Sequence, residues 1–147
     1  MSSGSIWNAL LEALHSSLID ELSGRFPREK IILGLPLRKQ GFDLPVPEVS
    51  SFMCADVEFM ASGGRGIALL AIDPGLGNGG GLGAQPEESL WADVVKRASP
   101  DFTRRGISPT FGTPEVLAKL PPNVKPRVVI WIPLELGRGR IFLGLGV

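Results

Sequence analysis

Two pairs of apolar runs, each pair joined by a glycine turn, constrain this chain more than any other feature. In the later pair, Val128, Val129, Ile130, Trp131 and Ile132 precede Gly137-Arg138-Gly139, and Ile141, Phe142, Leu143 and Leu145 follow it. Apolar, β-branched runs around a glycine turn predict an antiparallel hairpin over residues 127–147. In the earlier pair, strands over 51–59 and 67–72 flank Ser62-Gly63-Gly64-Arg65-Gly66. Glycine supplies the positive φ that tight hairpin turns need. Phe52, Cys54, Val57 and Phe59 alternate imperfectly with Asp56 and Glu58, which allows a bulge.

A helical stretch precedes each hairpin. Over residues 5–22, Trp7, Leu10, Leu11, Leu14, Leu18 and Leu22 recur at three- and four-residue spacing as one apolar stripe. Gly24 and Pro27 end it. A second helix is predicted over 87–98, with Glu87 and Glu88 at its positive end, Lys96 and Arg97 at its negative end, and Leu90, Trp91, Val94 and Val95 facing inward. The layout predicts an α+β fold: a mainly antiparallel sheet, two main helices on one face, and a pseudo-repeat of helix plus hairpin in one domain spanning 1–147.

The remaining segments read less regularly. Residues 30–37 form a short edge strand ending at Pro36, and 39–48 form a loop. The stretch 74–86 holds so many glycines that ordering it is costly, and a mobile loop is expected. Residues 100–113 are expected to be irregular, anchored by Phe102, Ile107 and Phe111, with Arg104 and Arg105 exposed. Thr113 and Pro114 fit the start of a short helix running to Leu120, stopped by Pro121 and Pro122.

Charge and residue counts exclude several functions. Lys plus Arg equals Asp plus Glu at 15 each, so the basic surplus that nucleic-acid binding uses is missing. The single Cys54 rules out an intramolecular disulfide and thiolate-rich zinc sites, and reads as core. No apolar run is long enough to span a membrane, and the first residues lack the pattern of a signal peptide, so the cytoplasm is the expected compartment. Gly75-x-Gly77-x-x-Gly80 matches a dinucleotide fingerprint by letter, but six residues including Pro86 separate it from the helix that would hold the pyrophosphate. There is no Gly-Lys-Ser/Thr phosphate loop and no Gly-x-Ser-x-Gly elbow. His15, the only histidine, reads as a solvated helix residue. Asp93 with Lys96 or Arg97 reads as a surface ion pair. No catalytic, cofactor or metal-ligating set is expected.

Several segments together resemble the CheC/CheX group of chemotaxis phosphatases and their flagellar-switch relatives. The helix over 6–22 resembles the group's opening helix. Asp56-Val57-Glu58-Phe59, through Gly63, to Gly66-Ile67-Ala68-Leu69-Leu70 resembles its first hairpin. Gly106-Ile107-Ser108-Pro109-Thr110-Phe111-Gly112 is similar to an Ile-Ser-Leu-Pro-Thr segment of the group, and 128–143 to its final hairpin. The resemblance implies a protein partner, either a response regulator or a flagellar switch component. The group's phosphatases use a Glu-x-x-Asn pair, whose amide orients the attacking water. This chain has none: its asparagines are Asn8, Asn78 and Asn123, and Glu88 is followed three residues on by Trp91.

Three readings follow. The first is a non-catalytic interaction or regulatory domain, contacting its partner through Glu87, Glu88, Trp91, Asp93 and Lys96. The second is a divergent phosphatase using Glu87, Glu88 or Asp93. The third is an unrelated α+β domain. A homodimer is compatible with each, should Val129, Trp131, Ile141 and Leu143 lie at an open edge or sheet face rather than in the core.

Overall fold

The computed structural model describes residues 3–47, 49–77, 86–137 and 139–147. Its elements are α1 (Ser3–Arg25), β1 (Ile32–Leu33), β2 (Leu37–Gln40), β3 (Phe52–Phe59), β4 (Gly64–Ile72), α2 (Pro74–Gly77), α3 (Pro86–Arg104), β5 (Pro109–Phe111), β6 (Glu115–Leu117), β7 (Val128–Leu136) and β8 (Gly139–Gly146). All eight strands join one antiparallel sheet.

The two expected hairpins, β3–β4 and β7–β8, meet through the pairing of β4 with β8. The strand order β1-β7-β8-β4-β3-β5 is completed at one edge by β2 on β7 and at the other by β6 on β3. Each half of the chain therefore runs helix, two short edge strands, hairpin. Each half also lends its edge strands to the other half's hairpin: β1 and β2 border β7, while β5 and β6 border β3. The pseudo-repeat read from the sequence is thus a pseudo-two-fold arrangement about the β4–β8 seam.

The exchange explains two corrections. Residues 115–117 form a strand rather than the short helix expected from Thr113 and Pro114. Val116 and Leu117 pair with Met53 and Phe52 and extend the edge that β5 begins. Long-range pairing outweighs a local capping signal, as tertiary context commonly does. Likewise, the expected loop from residue 39 onward starts as strand, because β2 pairs Lys39 with Val129 and Gln40 with Val128.

Both sheet faces are covered. On one, Met53, Ala55, Val57 and Phe59 of β3, with Leu70 and Ile72 of β4 and Ile141, Leu143 and Leu145 of β8, pack beneath Leu10, Leu14, Leu18 and Leu22 of α1 and Leu90, Val94 and Ala98 of α3. On the other, Phe52, Cys54, Leu69, Val129, Trp131 and Phe142 are covered by Phe42, Leu44 and Val46 after β2 and by Leu117, Leu120 and Val124 from β6 onward. Burial on two faces explains the imperfect alternation in β3. The register is continuous from Met53↔Leu70 to Phe59↔Gly64, so there is no bulge. Val129, Trp131, Ile141 and Leu143 are all buried, two on each face.

Two further segments differ from expectation. Helix α3 continues through Pro100 to Arg104, because Phe102 is buried and anchors the final turn. Pro100 lacks the N–H that would reach the Lys96 carbonyl, and both residues lie on the exposed side of the helix. Pro74–Gly77 forms a short helical turn with Leu76 buried, and the rest of the expected glycine loop, 78–85, lies outside the described residues. The first hairpin turns at Gly63, with φ of 72° and its N–H on the Phe59 carbonyl at 2.8 Å.

Candidate interaction surface

The helix pair is held by charges as well as by its apolar floor. Arg25 pairs with Asp93, Arg97 with Glu21 at 3.0 Å, and Arg105 with Glu12 at 2.8 Å. As the number rises along α1 it falls along α3, so the helices run antiparallel and these pairs fix their register. Glu21 also accepts from Arg25 at 3.1 Å, and its side chain is only 14% exposed. It is the shared anion between two guanidinium groups, a geometry that favours bidentate arginine.

The expected surface pairing of Asp93 with Lys96 or Arg97 is replaced by these cross-helix contacts. Arg104 and Arg105 are not a free basic pair either. Asp101 holds both at 3.2 Å, and the hydrogen bond to Glu12, then that to Asp101, raises the Arg105 pKa further. His15 is half-buried rather than solvated, and its burial lowers the pKa below the ordinary imidazole range. Burial pushes the Cys54 thiol up to about 11, helped by the negative charges of Asp56 and Glu115. It is inert as a nucleophile at neutral pH.

The five sequence-picked contact residues separate on α3. Trp91 points inward, 3% exposed and edge-on to Phe111 at 5.3 Å, so it supports the surface rather than forming it. Glu87 and Glu88 are half-buried in the first turn. Asp93 lies at the seam with α1, and its side chain is 49% exposed. Lys96 is exposed and makes no ion pair among the described residues. It stands in an exposed row with Ser89, Ala92, Ser99 and Thr103, at the three- and four-residue spacing of one helix face. Across the seam, α1 exposes Asn8, Glu12, Ser16 and Asp20. These rows are the positions opposite the apolar stripes. The same periodicity that located the core could have located them. The large apolar side chains exposed among the described residues lie outside both helices. The outer face is therefore polar and built largely of short side chains, suited to close approach by another protein. No group of three or more His, Cys, Asp or Glu able to hold a metal occurs among the described residues, and no described helix is long and apolar enough to cross a membrane.

This architecture, an antiparallel helix pair over a pseudo-two-fold sheet with exchanged edges, defines the CheC/CheX-like fold. A CheC-like chemotactic protein from Shewanella oneidensis is similar at TM-score 0.67 and 13% identity, over 94% of this chain and 97% of that one. A chain of the CheX–CheY–BeF3–Mg2+ complex from Borrelia burgdorferi is similar at 0.56 and 11%, over 92% and 96%. A chain of the FliM–SpeE complex from H. pylori is similar at 0.56 and 15%, over 99% and 89%. No family model matches the sequence, and no curated protein matches it.

Proposed function

We propose that this protein is a non-catalytic CheC/CheX-like interaction domain in chemotaxis or motility signalling, docking a response regulator or switch component on the outer face of α1 and α3. The observation that carries this reading is the face itself. The helix layer presents exposed polar rows, while the sequence holds no Glu-x-x-Asn pair to orient a water. A side chain that only binds needs exposure and freedom from internal pairing, which Lys96 has among the described residues. Titration with a beryllofluoride-activated response regulator is expected to show binding that Lys96→Glu weakens about tenfold. The lifetime of the regulator's aspartyl phosphate should stay unchanged at stoichiometric protein. Binding insensitive to Lys96→Glu would move the contact elsewhere, and accelerated decay would restore the phosphatase reading.

Self-association belongs to the same proposal. Strand β1 pairs on one side only; its Ile32 and Leu33 are 51% and 56% exposed, and Leu35 just after it 84%. An open apolar edge favours strand pairing. Sedimentation is expected to show a dimer that Leu35→Glu converts to monomer.

A further inference from the structure

The pseudo-two-fold leaves the outer sheet face with two covers, and they are not equivalent. The first, after β2, brings Phe42, Leu44 and Val46 onto the core, and its Asp43 carbonyl accepts the Trp131 indole N–H at 2.9 Å. The second, between β6 and β7, brings Leu120 and Val124. Beside it lies an open cleft of about 450 Å³, bounded by β3, β4 and the end of β8.

The cleft is built from fixed parts. Its loop wall is stiffened by Pro121, Pro122 and Pro126, closed by a Val124 N–H to Pro121 carbonyl bond at 3.0 Å, and tied to β8 by Arg127 N–H to the Val147 carbonyl at 2.9 Å. Ile67 and Val124 supply an apolar floor, and Asp56, Glu58, Arg65 and Lys125 line the walls. Glu58 and Arg65 satisfy one another at 3.4 Å. Asp56 and Lys125 make no ion pair among the described residues. The lining side chains carry two carboxylates and two cations, which balance, so a ligand of large net charge gains from one pair and loses to the other. A dipolar ligand gains from both. The volume also lies within the range of small-molecule sites.

We propose that this cleft binds a small zwitterion of the α-amino-acid class, its ammonium toward Asp56, its carboxylate toward Lys125 and its side chain on Ile67 and Val124. The site faces away from the helix pair and does not depend on the function proposed for that face. The test is calorimetric titration of the full chain with the twenty common amino acids, followed by the methyl ester and N-acetyl derivative of any that bind. Saturable binding is expected for at least one, lost in both derivatives and weakened about tenfold or more by Asp56→Asn and by Lys125→Gln. Both side chains are exposed, so both variants should keep the parent's circular dichroism and thermal midpoint. Absence of binding by every amino acid at millimolar concentration would overturn the proposal. So would equal binding of the ester, or binding unchanged in the two variants.

Discussion

Trp131→Ala is expected to lose about 3–5 kcal/mol of stability, the range for removing a buried tryptophan. Trp131 is fully buried on β7, directly opposite Gly144 of β8. A Cβ placed on Gly144 would stand 2.7 Å from the indole ring, so the ring occupies the space that any other residue at 144 would fill. Removing the ring leaves a cavity that glycine cannot close. It also removes the indole N–H donor to Asp43, which ties the first cover to the sheet. Urea unfolding followed by far-ultraviolet circular dichroism measures the loss, and the thermal midpoint should fall by roughly 10–15 °C for a domain of this size. Trp131→Phe, which keeps a ring but not the N–H, should retain most of the stability. A loss below about 1 kcal/mol for the alanine variant would mean that cover and sheet are not coupled through this residue.

The same indole shows where sequence reading succeeds and where it stops. Trp131 falls within an apolar run next to a glycine turn, and that pattern is enough to assign a strand and a hairpin partner. Nothing in the run says that β7 also receives β1 and β2 on its other side. Residues 32–33 lie in the short apolar run read as an edge strand, whereas Arg38-Lys39-Gln40 of 37–40 are too polar to announce one. Their pairing is decided by the open edge of β7, about a hundred residues away in the chain. Residues 115–117 are the mirror case. Thr113-Pro114 is a sound helix-start signal, and it loses to the open edge of β3. Local chemistry identified the elements that bury themselves, such as α1, whereas the edge strands exist only because a partner strand offers hydrogen bonds.

The candidate interaction surface was legible to a similar degree. The second helix was assigned as far as residue 98, and Lys96 stands on its exposed row. Trp91 reads both as part of the inward face with Leu90 and Val94 and as a partner contact, and the structure keeps it inward, edge-on to Phe111. Asp93 was assigned a neighbour on its own helix because i to i+4 pairs are the ones a sequence displays. Its partner, Arg25, is contributed by α1, and only the antiparallel packing of the helices brings the two together.

Gly66→Ala separates space from conformation. Replacing glycine by alanine at a compatible site stabilises by about 0.4–1 kcal/mol, because the unfolded chain loses freedom. Gly66 is an ordinary strand residue opposite Val57 and has no positive φ, so conformation alone predicts a gain. The surroundings reverse the sign. An added Cβ would stand 2.5 Å from the Gly146 carbonyl oxygen and 2.8 Å from the Trp7 ring. The carbonyl belongs to the β4–β8 ladder, where Ile67 is paired with Gly146. The Trp7 ring is held edge-on to Phe59 at 5.0 Å. Neither neighbour is the free end of a flexible side chain, so overpacking should cost about 1–3 kcal/mol. Gly24→Ala is the control. It lies within α1 with open space around it, and should gain about 0.5–1 kcal/mol. Trp7→Leu added to Gly66→Ala relieves only the ring, so a double-mutant cycle should show partial recovery, the remainder being the carbonyl contact. Gly66→Ala as stable as the parent would mean that the β4–β8 seam yields at this point, and that the pseudo-two-fold axis is not its most tightly packed line.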